Sequence, residues 1–428
     1  MRAAGRDPAT TADAAAQAAW QGAGAFAVAR LPRLVVGPGR VAELPGIAAS
    51  LGRSALLVTG ARSFRDGPAW APLVAGLAAA GVGWEHLAVA GEPSPELVDE
   101  AVAARRGALP EVVVGIGGGS ALDAAKAIAG LLRSGTTALD HLEGVGRGLP
   151  YPGPATPFVA VPTTAGTGSE VTKNAVLAGR LPEAGSGAPP FKKSFRDEQL
   201  VARVAILDPD LLAGCPAPLI AGDGMDAVTQ LLEAFTSTGA SPFTDAVARA
   251  GLAAAAGALP SWHAASLAGA PRDATLADRA AMAWAACCSG IALANAGLGA
   301  VHGIVAALGA RYPVPHGVGC GILLAATTRA NLAALAARAP QSPAFARYAD
   351  AGRFLAGDAT LPDDAARDGL VSELEAWTDA LGLPRLADYG MTPADVPAVV
   401  AESRGSSMRT NPIVLTDPEV TAIVAACL

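Results

Sequence analysis

Up to about residue 215 the chain alternates short apolar runs with helical patterns, and few folds accommodate that order. RLVVG (33–37), ALLVTG (55–60), GWEHLAVAG (83–91), EVVVGIGGG (111–119), FVAVPTT (158–164) and RVAILDP (203–209) have the length and apolar content of strands. VAELPGIAASLG, AWAPLVAGLAAAG, SPELVDEAVAARRG and SALDAAKAIAGLLRSG carry their apolar residues at helical spacing. A β-α-β-α order predicts a mostly parallel sheet with helices on its faces. After DPDLLAGCPAPLIAGDGMDA the character changes to long Ala- and Leu-rich helical segments, with strand-like runs nearly absent. The expected division is an α/β domain over 26–215 and an all-helical domain over 216–428. Residues 1–25 read as a loosely ordered, Ala-rich leader in which Arg2, Arg6, Asp7 and Asp13 break up any signal-peptide core. The Gly- and Pro-rich stretch 179–191 reads as a surface loop or hairpin tip.

Composition excludes several partners. Net charge is −7 with no Lys/Arg-rich run, which argues against nucleic acid and anionic membrane surfaces. Five cysteines without a C-x-x-C pattern suit a reducing compartment, so a cytoplasmic protein is expected. No charged residue occurs between Arg279 and Arg311, a stretch long enough to span a bilayer. Its Ala and Gly content, with Ser289, Asn295 and His302 inside it, predicts buried helices instead.

Two clusters point to a nucleotide. In EVVVGIGGGSALDAAKAIAG a buried strand runs through Gly117, Gly118, Gly119 and Ser120 into a helix whose N-terminus suits a pyrophosphate. It is not a G-x-G-x-x-G, so the ordinary dinucleotide fingerprint does not apply. In VPTTAGTGSEVTKNAV (161–176) the hydroxyls of Thr163, Thr164, Thr167, Ser169 and Thr172 sit among glycines, as the second wall of such a cleft would require. The four lysines, Lys126, Lys173, Lys192 and Lys193, all fall within or just beyond these clusters, and a compact ammonium suits phosphate.

The second half offers metal ligands. Asp226 and Gln230 are four apart in GDGMDAVTQLLEAF, hence on one helix face. His302 and His316 each precede a glycine, and Pro315 places His316 near a helix start. One carboxylate, one amide oxygen and two imidazoles could hold a divalent metal with a position left for substrate. His86, His141 and His263 lack such a context and read as structural.

Taken together, GGGSALDAAKAIA, PTTAGTGSEVT, VAILDPDL, GMDAVTQLLEAF, GLGAVHG, PHGVGCGILL and RTNPIVLT resemble the iron-containing (group III) alcohol dehydrogenase family from about residue 32 onward. The resemblance implies a dehydroquinate synthase-like fold of α/β plus all-α type: a Rossmann-like parallel-sheet domain, a helical domain, and an active site between them. It implies that Gly118, Gly119 and Ser120 hold a cofactor pyrophosphate. Thr163, Thr164, Thr167 and Asn174 would line the cofactor, Lys192 would stand near it, and Leu211 would pack close to the nucleotide. Asp226, His302 and His316 match three of the family's four metal ligands, where they would hold Fe2+ or Zn2+ and act in catalysis. Gln230 departs, standing where the family usually has histidine. Gly60 stands about where NAD-preferring members carry an acidic residue, with Arg62 beside it, so NADP(H), or use of both NADP(H) and NAD(H), is expected.

The implied activity is an NAD(P)-dependent interconversion of an alcohol with an aldehyde or ketone, the metal acting as Lewis acid. A homodimer is implied as well. Alternatives are a metal-free reductase like maleylacetate reductase, a dehydroquinate synthase-like lyase, and a nucleotide-binding protein without catalysis.

Overall fold

The computed structural model describes residues 24–180 and 190–428. The expected leader, except for residues 24 and 25, and the tip of the 179–191 stretch lie outside the described residues. The strands are β1 (Arg33–Val36), β2 (Ser54–Gly60), β3 (Gly83–Val89), β4 (Val112–Gly117), β5 (Phe158–Pro162), β6 (Asn174–Arg180), β7 (Pro190–Arg196) and β8 (Val204–Leu207). Six form one sheet in the order β1-β8-β5-β4-β2-β3, every pairing parallel. In the register, Leu57 lies opposite Val114, and Val114 opposite Val159. Strands buried on both faces read as unbroken apolar runs, and β4 and β5 are buried throughout.

Helices α1 (Leu44–Leu51), α2 (Trp70–Ala79), α3 (Pro95–Ala103) and α4 (Gly119–Leu131) connect the strands. Leu44, Leu73 and Leu77 of α1 and α2 pack on one face against Leu57, Val114 and Ile206. Val98 of α3 and Leu122 and Ile128 of α4 pack on the other against Leu56, Val58 and Val113. β6 and β7 pair as an antiparallel hairpin that adds Leu177 and Phe195 to this second core.

The strand order positions a crevice. From β2 the chain steps outward to β3, returns to the other side of β2 as β4, and then proceeds away through β5. At such a reversal the loops leaving the carboxyl ends of the two strands diverge, and a ligand can enter between them. Gly60 ends β2 and Gly117 ends β4.

Among the described residues no strand follows Leu207. The rest is helical, beginning with α5 (Ala217–Thr236), α6 (Pro242–Leu267), α7 (Leu276–Ala296), α8 (Ala300–Arg311) and α9 (His316–Arg338). The uncharged stretch 280–310 forms most of α7 and nearly all of α8, bent by 100° at Gly297 to Gly299, with Cys288, Ala292, Ile304 and Leu308 in the helical core. α7 also meets the sheet side, where Cys287 and Ile291 pack against Val171 and Leu207.

The closest approach in this region is between backbones. Gly168, at φ +62°, faces Gly290 on α7, where a Cβ on Gly290 would lie 2.4 Å from the Gly168 carbonyl oxygen. Gly290→Ala should therefore cost about 1–3 kcal/mol by overpacking. Gly309→Ala on α8, where a Cβ meets nothing within 4 Å, should be neutral or stabilise by up to about 1 kcal/mol. Urea unfolding of both variants checks the pair, and equal midpoints would contradict the tight contact.

Candidate active site

A cleft of about 2290 Å³ lies between the carboxyl ends of the strands and the helical region. Gly60, Gly118, Gly119, Ser120, Thr163, Thr164, Thr167, Asn174 and Lys192 line it, and so do Asp226, Gln230, His302 and His316. Leu211 does not; it is packed between the helical core and one core of the sheet. Ser63 reaches the cleft, but Arg62 is exposed and is not among the lining residues.

Gly118 and Gly119 open α4, whose first-turn amides lack intrahelical acceptors and whose dipole is positive at this end. The threonine loop crosses close above them. A Cβ at Gly119 would fall 2.7 Å from Thr167 Cγ2, and one at Gly118 3.3 Å from Thr164 Cγ2. Thr163 N donates to Gly117 O at 3.0 Å. These contacts make a concave wall of amides and hydroxyls suited to a pyrophosphate.

Lys126 and Lys173 are used differently from the phosphate reading, whereas Lys192 and Lys193 line the cleft. Lys126 is fully buried in α4, and its Nζ faces Asn174 O at 2.6 Å, Ser169 O at 2.7 Å, Ser169 Oγ at 3.0 Å and Thr172 Oγ1 at 3.2 Å. Its charge thus ties the threonine loop to α4. Lys173 pairs with Glu198 at 2.6 Å and Lys192 with Glu92 at 2.7 Å, while Lys192 and Lys193 line the cleft. Burial lowers the Lys126 ammonium to about 8. Burial also raises Glu170, beside Ser169, to about 7, against the pull of Lys126.

On the opposite wall, Asp226 and Gln230 stand one turn apart on α5, His302 lies in the first turn of α8, and His316 is the first residue of α9. Asp226 Oδ1 is 3.4 Å from His302 Nε2, 3.9 Å from His316 Nε2 and 3.5 Å from Cys320 Sγ. Cys320 Sγ is 3.9 Å from His302 Nε2, and one ligand atom from each of these four residues lies within 4.8 Å of every other. A carboxylate, two imidazoles and a thiol at this spacing fit a divalent transition metal. Asp226, His302 and Cys320 are buried, whereas the His316 side chain is 37% exposed.

Glu233, two turns along α5 from Asp226, orients this wall. Its carboxylate accepts from Val301 N and His302 Nδ1 at 2.7 Å and from Gly299 N at 2.9 Å. With Nδ1–H directed at Glu233, Nε2 is the nitrogen that faces Asp226, the arrangement by which a second carboxylate aims a metal-binding imidazole. Gln230 Oε1 accepts from Ser289 Oγ at 2.6 Å. Without a cation, burial opposes ionisation of Asp226, but His302, His316 and the Cys320 thiol more than reverse this and hold it below the usual carboxylate range. Partial desolvation, helped by the neighbouring His302, lowers His316, and burial raises Cys320 to about 12.

Residues 32–209 match the iron-containing alcohol dehydrogenase family, and residues 220–428 match the C-terminal part of the Fe-containing alcohol dehydrogenase family. The chain belongs to the iron-containing alcohol dehydrogenase family. It is 34% identical over 298 residues to 1-propanol dehydrogenase PduQ of Citrobacter freundii, covering 69% of this chain and 70% of that protein. It is 31% identical over 340 residues to NAD-dependent methanol dehydrogenase of Bacillus methanolicus, covering 79% and 82%. The solved structure of a 1,3-propanediol oxidoreductase superposes with a TM-score of 0.82 at 28% identity, covering 95% of this chain and all of that one. This alcohol dehydrogenase therefore has the fold that the motifs implied.

Sequence reading missed Cys320 and Glu233. Both carried a signal in their spacing, Cys320 at i+4 from His316 and Glu233 at i+7 from Asp226, each on the ligand's own helix face. His263, read as structural, is buried and lines the cleft outside the four-residue cluster. His86 and His141 bond Thr59 and Thr136 at 2.9 and 2.8 Å.

The Glu170 shift has a measurable consequence. Its carboxyl moves from an ordinary 4.5 to about 7 on folding, so between those values the folded state binds a proton that the unfolded state does not. The associated stability is fully present below about pH 4.5 and is lost as pH rises through about 7. Glu170→Gln should shrink the fall in urea midpoint between pH 5 and pH 8. An unchanged fall would contradict the burial of this carboxyl.

Proposed function

We propose that this alcohol dehydrogenase uses a nicotinamide dinucleotide and a divalent metal to interconvert a small, largely apolar alcohol with its aldehyde or ketone. One observation carries the reading: the Gly/Thr wall and the Asp226–His302–His316 cluster line the same cleft. Residues 26–215 form the cofactor half and 216–428 the metal and substrate half. The metal supplies Lewis-acid polarisation of the substrate oxygen, and the dinucleotide supplies or accepts the hydride.

The chain's own residues prepare that chemistry. Gly118, Gly119 and Ser120 present amides to the pyrophosphate, and Thr163, Thr164, Thr167 and Asn174 line the path toward the opposite wall. Asp226, His302 and His316 offer ligand atoms, with Glu233 fixing the imidazole of His302. Asp223, one turn before Asp226, bonds Thr164 and so links the metal wall to the cofactor loop. Leu298, Val305 and Ala306 give the cleft apolar surface beside the cluster, which suits a short alkyl chain. The relatives' names, a propanol and a methanol dehydrogenase, support substrates of this size.

The end of β2 carries neither a carboxylate to repel a 2′-phosphate nor a cleft-lining arginine to demand one. NADH and NADPH should therefore support turnover with kcat/KM values within about tenfold, a difference of about 1.4 kcal/mol. The homodimer is part of the proposal, and light scattering at twice the 42.3 kDa chain mass would support it. The five free cysteines fit a cytoplasmic setting.

The decisive assay is oxidation of 1-propanol, followed by appearance of the reduced cofactor. His302→Ala should lower kcat/KM at least about hundredfold, and chelation should abolish turnover until a divalent metal is returned. Undiminished turnover after complete chelation would move the reading to a metal-free reductase on this scaffold.

A further inference from the structure

We propose that Cys320, and not Gln230, completes the metal site as a thiolate ligand, so that this chain selects zinc over iron. The inference rests on the proposed metal at Asp226, His302 and His316, and it changes the chemistry of that site.

Geometry comes first. Cys320 follows His316 by one turn of α9, which brings both side chains to the same face. With metal–sulfur bonds of about 2.3 Å and metal–nitrogen or metal–oxygen bonds of about 2.0–2.2 Å, tetrahedral donors stand roughly 3.3–3.7 Å apart. The recorded separations are 3.4 Å for Asp226 to His302, 3.5 Å for Asp226 to Cys320, and 3.9 Å each for Asp226 to His316 and His302 to Cys320. Shifts of a few tenths of an ångström bring these four pairs to bonding geometry, and the two remaining pairs lie within 4.8 Å. Gln230 Oε1 accepts from Ser289 Oγ at 2.6 Å, which occupies one of its two lone pairs.

Donor chemistry is compatible with the same assignment. Asp226 and Cys320 are both buried. A carboxylate and a thiolate match the two positive charges of the cation within the ligand set itself, and Glu233 behind His302 adds a further carboxylate to this wall. On metal binding the S–H bond of Cys320 breaks, its proton leaves to solvent, and the sulfur lone pair forms the bond to the metal. No electron changes hands. A soft thiolate favours zinc over iron(II), and substrate would add as a fifth ligand from the cleft-facing side beside His316.

The test uses the full-length protein, stripped with chelator and reloaded with Co2+ or Zn2+ in turn. The wild type should take up one Co2+ and show an intense sulfur-to-cobalt charge-transfer band in the near ultraviolet. Cys320→Ser should lose the band and bind Zn2+ at least about tenfold more weakly, while Gln230→Ala should keep the band and hold Zn2+ within about threefold of wild type. The wild-type spectrum decides the matter even if a variant fails to fold. Stoichiometric Co2+ without the band, or Zn2+ affinity lost in Gln230→Ala and kept in Cys320→Ser, would overturn the role of Cys320 and leave the metal site standing. Absence of stoichiometric uptake of either ion by the wild type would overturn both.

Discussion

Two backbones meet at Gly168 and Gly290 with less room than a methyl group needs, and the cleft owes its shape to that approach. On one side is the threonine loop above the start of α4; on the other is α7 of the helical region. Around the contact Val171 and Leu207 pack against Cys287 and Ile291, which excludes water and holds the approach in place. Ser289, next to Gly290, reaches both the Gly166 carbonyl and Gln230. The spacing of the Gly/Thr wall from the Asp226–His302–His316 wall is therefore set by two residues that do not themselves line the cleft.

Buried charge keeps each wall rigid. Lys126 joins α4 to Ser169, Thr172 and Asn174, with Asp123 bonded to Ser169 Oγ beside it. Glu233 holds the start of α8 through the amides of Gly299 and Val301 and aims His302 with the same carboxylate. In both cases an ionic group with no access to water is surrounded by polar partners, the condition under which burial of charge is tolerated. The exposed ion pairs, such as Arg40–Glu43, do no comparable positioning, because solvent screens them and competes for their partners.

Much of this was legible in the residues. Strands β4 and β5 showed as continuous apolar runs because both faces of a parallel sheet are covered. Gly118 and Gly119 showed because a close backbone approach at a helix start excludes side chains. Asp226, His302 and His316 were found through their family motifs, which record chemistry shared across long separations in the chain. Lys126 was misread, since a lysine near a phosphate loop and a lysine buried beneath one look alike in sequence; burial alone separates them. Cys320 went unnoticed because a cysteine without a C-x-x-C partner says nothing of the carboxylate 94 residues away that its sulfur faces.

The sequence by itself determined the element types and their order, the α/β half followed by the helical half, and the residue kinds able to bind phosphate and metal. These follow from periodicity and local conformational preference, which depend on near neighbours along the chain. The tertiary structure alone decided which of those residues share a cleft and which donor faces which. Leu211 went to the core, Gln230 was drawn to Ser289, and Cys320 was brought beside Asp226 and His302. The physical reason is that contacts between distant segments are chosen by packing and by the need to pair every buried polar group, and neither can be judged until the helices are in place.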